Sequence, residues 1–228
     1  METASVSTLL PEELTIDDCH GDQDIYDLKV KAREKVIEAV EHIEGEGWVL
    51  VKDEGDCALS YKKVEGESIN MTLRTFTLDS PMDKAMEKML DTEMAMKSND
   101  RLKVNEIVEE IDENTVFIKR EISGNMVISN RDMSLFQHVI ELTDGSKLIV
   151  SFSEPHEKIP EKSGVVRADF ILSYLHVKSI SETTTSVAYL VHFDPKGSLP
   201  TSFVNMAQNK QHESVIKFKE FLEKEDTS

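Results

Sequence analysis

Charged and amide side chains stand inside several of the most apolar stretches of this chain. In residues 129–142, the two-residue period of a strand puts one arginine, one glutamine and three apolar residues on a single face: Arg131, Met133, Leu135, Gln137 and Val139. Lys119 and Glu121 share a face in the preceding stretch, and Arg167 shares one with Asp169 further on. An unpaired buried charge costs several kcal/mol. These groups therefore lie at a rim, in ion pairs, or in a mostly apolar cavity whose few polar groups orient a ligand.

Signatures of enzyme chemistry are absent from the sequence. The chain has no phosphate-binding loop and no GxGxxG, GxSxG or HExxH motif. Its seven histidines are scattered singly, and among 44 acidic residues a pair of carboxylates on one face is expected by chance. We therefore predict no catalytic residue, no metal site and no cofactor.

Composition and charge limit which partners the protein can bind and in which compartment it is found. A formal net charge of −18 argues against a nucleic-acid partner, because phosphate binding depends on cationic contacts. The N-terminus carries acidic residues where a signal peptide carries basic ones, and no apolar run reaches the roughly 18 residues of a membrane span. Cys19 and Cys57 have no metal-binding spacing and are interpreted as free thiols. These observations predict a cytoplasmic protein.

The spacing of apolar residues predicts a flexible acidic N-terminal segment, residues 1–21, followed by a single domain over residues 22–225. A helix is expected from Asp22 to the glycines at 45 and 47, and a second helical stretch is expected to open with Ser80 as its cap and Pro81 at its first position. The predicted strands cover 48–51, 57–63, 68–78, 104–111, 115–122, 129–142, 147–153, 165–177 and 183–193. The last two strands form a long hairpin that leads into an amphipathic helix. This order predicts an α+β fold in which a curled antiparallel sheet grips the final helix.

Two local features of the sequence predict further details of the structure. The apolar phase of residues 68–78 changes from odd to even positions, which predicts a bulge near Arg74. The connections at 123–126 and 154–163 are interpreted as mobile loops.

Three segments in the second half of the chain resemble a known family. They are Ser129-Asn130-Arg131-Asp132-Met133, Gly164-Val165-Val166-Arg167-Ala168-Asp169, and Asp194-Pro195-Lys196-Gly197-Ser198-Leu199-Pro200 followed by a helix with Val204-Asn205. In order and separation they are similar to the RDF, VRAE and D-x-KG-x-LP segments of the START domain, a lipid-transfer module. The resemblance implies a helix-grip fold, in which about nine antiparallel strands curl around a hydrophobic tunnel closed by a C-terminal helix.

The resemblance also implies which residues contact cargo. Glu121 falls where cholesterol-binding members have an acidic residue paired with an arginine, and Gln137 stands at the position of that arginine. This departure puts a buried ion pair, and with it sterol specificity, in question. Placement and strand phase suggest further lipid-binding residues in the tunnel and on the lid helix: Met133, Leu135, Val150, Phe152, Ile171, Ser173, Ala188, Leu190, Ala207, Gln211 and Val215. Arg131, Asp132, Arg167 and the 194–200 corner are expected to hold the fold.

The sequence thus predicts a non-enzymatic, monomeric carrier that encloses one lipid, a sterol or phospholipid, and contacts membranes transiently. Opening is expected to separate loop 154–163 from the lid helix, with lysines on both as a basic membrane-docking face. Two alternatives remain open: a ligand-sensing regulatory module, and a helix-grip enzyme that uses Glu121 or His138 as acid or base on a hydrophobic substrate.

Overall fold

A ten-stranded sheet with helices on both faces forms the body of the protein. The computed structural model describes residues 5–11, 14–125, 128–202, 204–205 and 212–224, with side chains described throughout except at 212–215, 222 and 224. The α-helices are α1 (Gln23–Glu44), α2 (Met82–Leu90), α3 (Thr92–Ser98) and α4 (His212–Lys224). Residues 201–202 and 204–205 are also helical. Two short 3-10 helices, Val6–Leu9 and Ile16–Cys19, precede α1.

The strands follow one another in chain order with few interruptions. They are β1 (Val49–Asp53), β2 (Cys57–Lys62), β3 (Met71–Leu78), β4 (Leu102–Asp112), β5 (Thr115–Ile122), β6 (Arg131–Glu141), β7 (Lys147–Ser153), β8 (Val166–Arg167), β9 (Asp169–Ser181) and β10 (Thr184–Asp194). Their order across the sheet is β1-β2-β3-β10-β9-β7-β6-β5-β4, and the two-residue β8 pairs in parallel with β6. All other pairs are antiparallel, as predicted.

The β9–β10 hairpin joins the two halves of the sheet. On one side β10 pairs with β3, from Thr185↔Leu78 to Val191↔Thr72. On the other side β9 pairs with β7, from Lys147↔Val177 to Ser151↔Ser173. The sheet remains open, with β1 and β4 as its edges.

Helices cover both faces of the sheet. Asp22 caps α1 by accepting a hydrogen bond from the Ile25 backbone N–H at 3.1 Å, and the apolar stripe of α1 packs on one face through Ala32 and Val36. On the other face, α2 and α4 pack against the apolar side chains of β3, β7 and β10. Because both faces are buried, central strands such as β7 show no alternation between buried and exposed residues.

The two-sided burial also explains the change of apolar phase in β3, where the bulge predicted near Arg74 is wrong. β3 pairs with β2 and β10 in unbroken register. Met71 and Leu73 pack on the α1 face, whereas Phe76 and Leu78 pack on the opposite one. A regular strand between two apolar layers therefore produces the pattern that resembled a bulge.

Two expectations near helix starts need correction. Pro81, not Ser80, is the N-cap of α2, and no side chain caps that helix. Ser80 is buried, and its carbonyl accepts a hydrogen bond from Thr185 Oγ1 at 2.7 Å, so this residue ties the end of β3 to β10.

The described part of the predicted flexible N-terminal segment packs against the domain. The Leu9 carbonyl accepts a hydrogen bond from the Thr143 N–H at 2.9 Å, and the Pro11 carbonyl accepts one from Arg33 Nη2 at 2.6 Å. Cys19 is buried. The acidic composition of this segment concealed the few apolar residues that anchor it, including Val6 and Leu9.

Candidate functional site

A cavity of about 480 Å³ lies between the sheet and helices α2, α3 and α4. This volume is within the range of roughly 300–1,000 Å³ typical of small-molecule sites. Most of the lining is apolar or aromatic: Phe76, Met89, Ala95, Leu102, Ile122, Ile128, Ile149, Phe170, Leu175, Tyr189, Phe193, Pro195, Leu199, Val204 and Phe218. The cavity is thus suited to enclosing a largely apolar molecule.

Three neighbouring strands supply a small polar group on the cavity wall. Gln137, Ser151 and Ser173 lie side by side on β6, β7 and β9, because Ser151 is directly opposite both of the others in the sheet. Ser151 Oγ donates a hydrogen bond to Gln137 Oε1 at 3.3 Å. The structure therefore places the predicted residues Gln137 and Ser173 in the lining and adds Ser151, which sequence reasoning missed.

Two arginines enter the cavity from β3 and β5. Arg74 is 3% exposed, and its guanidinium carbon lies 5.4 Å from the centre of the Tyr189 ring. Arg120 lines the same cavity, and its Nε donates to Asn105 Oδ1 at 2.9 Å. Burial lowers the pKa of both guanidinium groups, but an arginine remains charged at neutral pH. Sequence reasoning missed both residues, although each is a charge within an apolar strand.

Met133 and Leu135 lie beneath the cavity wall. Both are almost completely buried and belong to one apolar cluster with Phe170, which lines the cavity. They share the face of Gln137, as the two-residue period predicted. Their contribution is to support the wall from within the core.

Four residues predicted to line the tunnel lie instead on the α1 face of the sheet: Val150, Phe152, Ala188 and Leu190. They alternate with residues that do line the cavity, among them Ser151 and Tyr189. Val150, Phe152 and Leu190 pack in the core beneath α1. The error arose because β7 and β10 are apolar on both faces, so composition did not reveal which face looks inward.

A bulge in β9 explains the misplacement of Ile171. The pairing of β10 with β9 steps from His192↔Leu172 to Phe193↔Phe170, which leaves Ile171 without a partner residue. The phase therefore shifts, and Phe170 lines the cavity in place of Ile171.

Glu121 also faces away from the cavity. Its backbone lies opposite Asp132, whereas Gln137 lies opposite Val116, so the two residues proposed as a pair are five positions apart on opposite faces of the sheet. Glu121 Oε1 accepts a hydrogen bond from Asn130 Nδ2 at 2.9 Å. The structure does not bring Glu121 and Gln137 together.

The structure does not describe the side chains of the lid residues named from the sequence. Ala207 and Gln211 are not among the described residues, and the side chain of Val215 is not described. The described part of α4 contributes Phe218 to the lining.

The described residues of the connection between β5 and β6 contribute to the lining of the cavity. Ser123, Gly124, Ile128 and Ser129 line it, together with the corner at Pro195 and Leu199. Gly124 N donates to Asn130 Oδ1 at 3.0 Å, and a Cβ at position 124 would lie 1.8 Å from the Ile128 carbonyl oxygen. Only glycine fits this turn, which Asn130 and Glu121 hold in place.

The other predicted mobile loop, 154–163, lies on the α1 side. His156 Nε2 and Lys158 Nζ both contact Glu109 Oε2, at 3.0 and 2.8 Å, and Lys31 pairs with Glu154 at 2.6 Å. No residue of this loop lines the cavity. The loop and the lid helix thus lie on opposite faces of the sheet, so the gate expected between them is wrong.

Comparison with known proteins identifies the family. The model of the START domain matches residues 32–223. The chain belongs to the START family. The chain is 29% identical over 188 residues to the mitochondrial steroidogenic acute regulatory protein of Rattus norvegicus, covering 78% of this chain and 63% of that protein. It is also 29% identical over 105 residues to START domain-containing protein 10 of Mus musculus, covering 42% of this chain and 36% of that protein.

Solved structures show the same fold. Human StAR-related lipid transfer protein 5 superposes with a TM-score of 0.79 at 16% identity, covering 88% of this chain and 98% of that one. Human STARD10 superposes with a TM-score of 0.73 at 20% identity, covering 80% of this chain and 76% of that one. The chain spans less than two thirds of the length of these two curated relatives. It covers nearly the whole of the solved structure of human StAR-related lipid transfer protein 5. Among the described residues, no helix has the length and hydropathy to cross a bilayer, and no cluster could hold a metal ion.

The three START-like motifs meet at one end of this domain. Arg131 donates to the carbonyls of Ser129 at 2.6 Å, Pro195 at 3.3 Å and Lys196 at 3.4 Å. Asp132 accepts two hydrogen bonds from Arg167, both at 2.9 Å. These contacts join β6, β8 and residues 194–197 beside the cavity.

His138 predicts a pH dependence of stability in this START domain. The side chain lies 2.9 Å from Thr115 Oγ1, and burial lowers the pKa of His138 from 6.5 to about 4. Between those values the unfolded chain binds more protons, so the free energy of unfolding falls as the pH drops from 6.5 to 4, by roughly 3 kcal/mol from this residue. Urea unfolding of wild type and His138→Gln at pH 7 and pH 4.5 checks this. The variant is expected to lose less stability on acidification, and equal losses would contradict the assignment.

Proposed function

We propose that this START domain encloses one lipid molecule in its cavity and carries it, as a monomer, between membranes without changing it chemically. The observation that carries the proposal is the largely apolar cavity covered by α4. Burial supplies the driving force: at about 0.8 kcal/mol per methylene, hiding an acyl chain of about 16 carbons is worth on the order of 10 kcal/mol before ordering costs.

The names of similar proteins support the proposal. One relative of similar sequence is a steroidogenic acute regulatory protein, and one protein of the same fold is a lipid transfer protein. The enzyme alternative has no support in the geometry, because Glu121 and His138 both lie on the α1 face, away from the lining.

The cytoplasm is the compartment that we propose for this carrier. Cys19 and Cys57 are both free and buried, as suits a reducing environment. Contact with membranes would be transient, and we propose that the lipid passes beside Ser123, Ile128 and Leu199, which line the cavity.

A transfer assay tests the function. Donor vesicles that carry a fluorescent phospholipid, fatty acid or sterol are mixed with acceptor vesicles, and the rate of transfer is followed with and without protein. We expect faster transfer of at least one lipid, in proportion to protein concentration. If none of the three lipids moves faster, transfer between membranes is excluded as the function.

One ion pair fastens the lid helix in this proposal. Lys219 of α4 pairs with Asp56, beside β2, and lies 3.6 Å from Glu223 of its own helix. Because Asp56 is exposed, the pair holds the helix only weakly. When the pair is removed, α4 should therefore move away from the cavity more easily but should still cover it.

We expect Lys219→Met to speed transfer by a few fold, with a smaller effect at high salt, where the pair is screened in the wild type as well. Lys217→Met, an exposed position on the same helix, is the matched control because it removes the same charge. Equal rates for the two variants would show that the pair does not limit opening.

A further inference from the structure

One edge of the open sheet is exposed and apolar. β1 forms this edge, and each of its five residues is exposed. Val49, Leu50 and Val51 follow one another in the strand, and Leu50 is 58% exposed. All five residues lie outside the lining of the cavity. The edge of a sheet presents backbone N–H and C=O groups to any extended chain, and a long apolar edge favours such pairing.

The opposite edge, β4, is better protected. β4 pairs with β5 through three register shifts, whereas the pairing of β1 with β2 has one. Neighbouring elements hold charged residues of β4 in ion pairs: Asp112 pairs with Lys29 of α1 at 2.7 Å, and Glu109 pairs with Lys158 at 2.8 Å. Shifts and charges of this kind discourage a further strand from adding to an edge. β1 is therefore the edge at which the sheet is open to extension.

Both ends of β1 are fixed by hydrogen bonds. Before the strand, Trp48 Nε1 donates to the His42 carbonyl at 2.9 Å, which ties the entry of β1 to the end of α1. After the strand, the Glu54 N–H donates to the Cys57 carbonyl at 2.9 Å and closes the turn into β2. A partner therefore meets a preformed strand, so that little ordering cost falls on β1 when it binds.

The charge around β1 indicates which partner fits. Residues 44–67, which contain β1, β2 and the segments at their ends, include seven acidic residues and three lysines. Lys52 pairs with Glu54 at 2.5 Å, and Lys62 Nζ donates to the His42 carbonyl at 3.0 Å. The surroundings of β1 are therefore negative, as is the whole protein with its charge of −18. An extended segment with basic residues is attracted to this edge.

A second copy of this chain is a poorer occupant. Two copies would bring like charges together, since each carries −18. Two five-residue strands are also too short to bury the roughly 1,200 Å² at which specific, stable interfaces begin. A short segment of another protein that binds transiently does not need this area.

We propose that β1 binds an extended segment of a partner protein, which adds to the sheet as a further strand through its backbone. Apolar side chains of the segment would cover Val49, Leu50 and Val51, and its basic side chains would face the carboxylates around the strand. The inference goes beyond the proposed function and does not depend on it. Because β1 lies outside the cavity lining, the partner would position the carrier without displacing its cargo.

Three labelled peptides of equal length test the docking. The first is Lys-Val-Lys-Ile-Lys-Val-Lys, the second has Glu in place of each Lys, and the third has Pro in place of Ile. Each is titrated with the intact protein at physiological salt, and fluorescence anisotropy is followed. We expect the first peptide to bind about ten-fold more tightly than the others, because the second is repelled and proline cannot donate to the ladder. Binding of the first should also slow amide hydrogen exchange in residues 49–53.

Substitutions at the two edges separate strand pairing from charge. Leu50→Glu adds negative charge to β1 and removes an apolar contact. Attraction by charge alone predicts that this variant binds the first peptide more tightly, whereas docking on β1 predicts binding that is several-fold weaker. Ile107→Glu is the matched control, because Ile107 is an exposed apolar residue of β4. The control should bind as wild type.

Three results would overturn the inference. The first is equal binding of the proline peptide, which would show that charge alone explains the affinity. The second is slowed exchange that excludes residues 49–53, which would place the peptide elsewhere. The third is a dimer in sedimentation that Leu50→Glu abolishes, which would make a second copy the occupant of β1. The proposed lipid-binding function stands in each case.

Discussion

Replacing Ser173 by tryptophan is expected to weaken lipid uptake at least ten-fold while the domain still folds. Ser173 lies on the cavity wall between Ser151 of β7 and Val191 of β10, and its side chain is 5% exposed. An indole at this position would project into a space of about 480 Å³ and occupy volume that a lipid chain needs. Because the cavity is open space, the added ring displaces cargo more than it strains the core.

Binding of a fluorescent fatty acid, followed by titration, measures the effect. We expect uptake by Ser173→Trp to fall at least ten-fold, equivalent to about 1.4 kcal/mol of binding free energy. Thr75→Trp adds the same ring at an exposed position of β3 and should bind as wild type. Unchanged uptake by the Ser173 variant would show that lipid does not bind in this cavity.

Asp132→Asn is expected to have the second large effect, a loss of folding stability. Asp132 is 2% exposed and accepts hydrogen bonds from Nε and Nη2 of Arg167, both at 2.9 Å, and Nη2 also donates to the Ile159 carbonyl at 3.0 Å. Removing one partner of a buried pair leaves the other charge uncompensated, so we expect a loss of about 3 kcal/mol in the free energy of unfolding.

Urea unfolding at pH 7 measures this loss. Asp169→Asn is the matched control, because Asp169 lies 3.6 Å from Lys196 in an exposed pair, which is worth about 0.2–1 kcal/mol. Similar losses in the two variants would contradict a structural role specific to Asp132 and Arg167.

The order and bounds of the strands could be predicted from the sequence because the turns are marked by polar residues and glycines. Strands β5 and β7 match their predicted bounds residue for residue, and the closing hairpin differs by a few residues at its ends. These features depend on local pattern. The three motifs at 129–133, 164–169 and 194–200 also meet in space, as expected of residues that hold the fold.

Local pattern did not predict which face of each strand looks into the cavity. Periodicity tells which residues share a face, but it does not tell which face looks into the cavity when both are apolar. In β6 the polar Gln137 marked the inner face, and Met133 and Leu135 share that face, although they are buried beneath the lining. In β7 and β10 no such marker was recognised, although Ser151 between Val150 and Phe152 offered one.

The same limitation affected the prediction of the residues that contact cargo. Glu121 attracted attention because of the family resemblance, whereas its neighbour Arg120 faces the cavity. A shift of one residue in a strand moves a side chain to the other face of the sheet. Register between strands, which depends on tertiary structure, was needed to separate the two.

The central claim is that the cavity encloses one lipid molecule, and the mass of the intact protein tests it most directly. Protein purified without detergent and incubated with lipid vesicles is measured by native and by denaturing mass spectrometry. The account predicts that the native mass exceeds the denatured mass by one lipid per chain, and that Ser173→Trp lacks this increment. Equal native and denatured masses for the wild type after such incubation would contradict the claim.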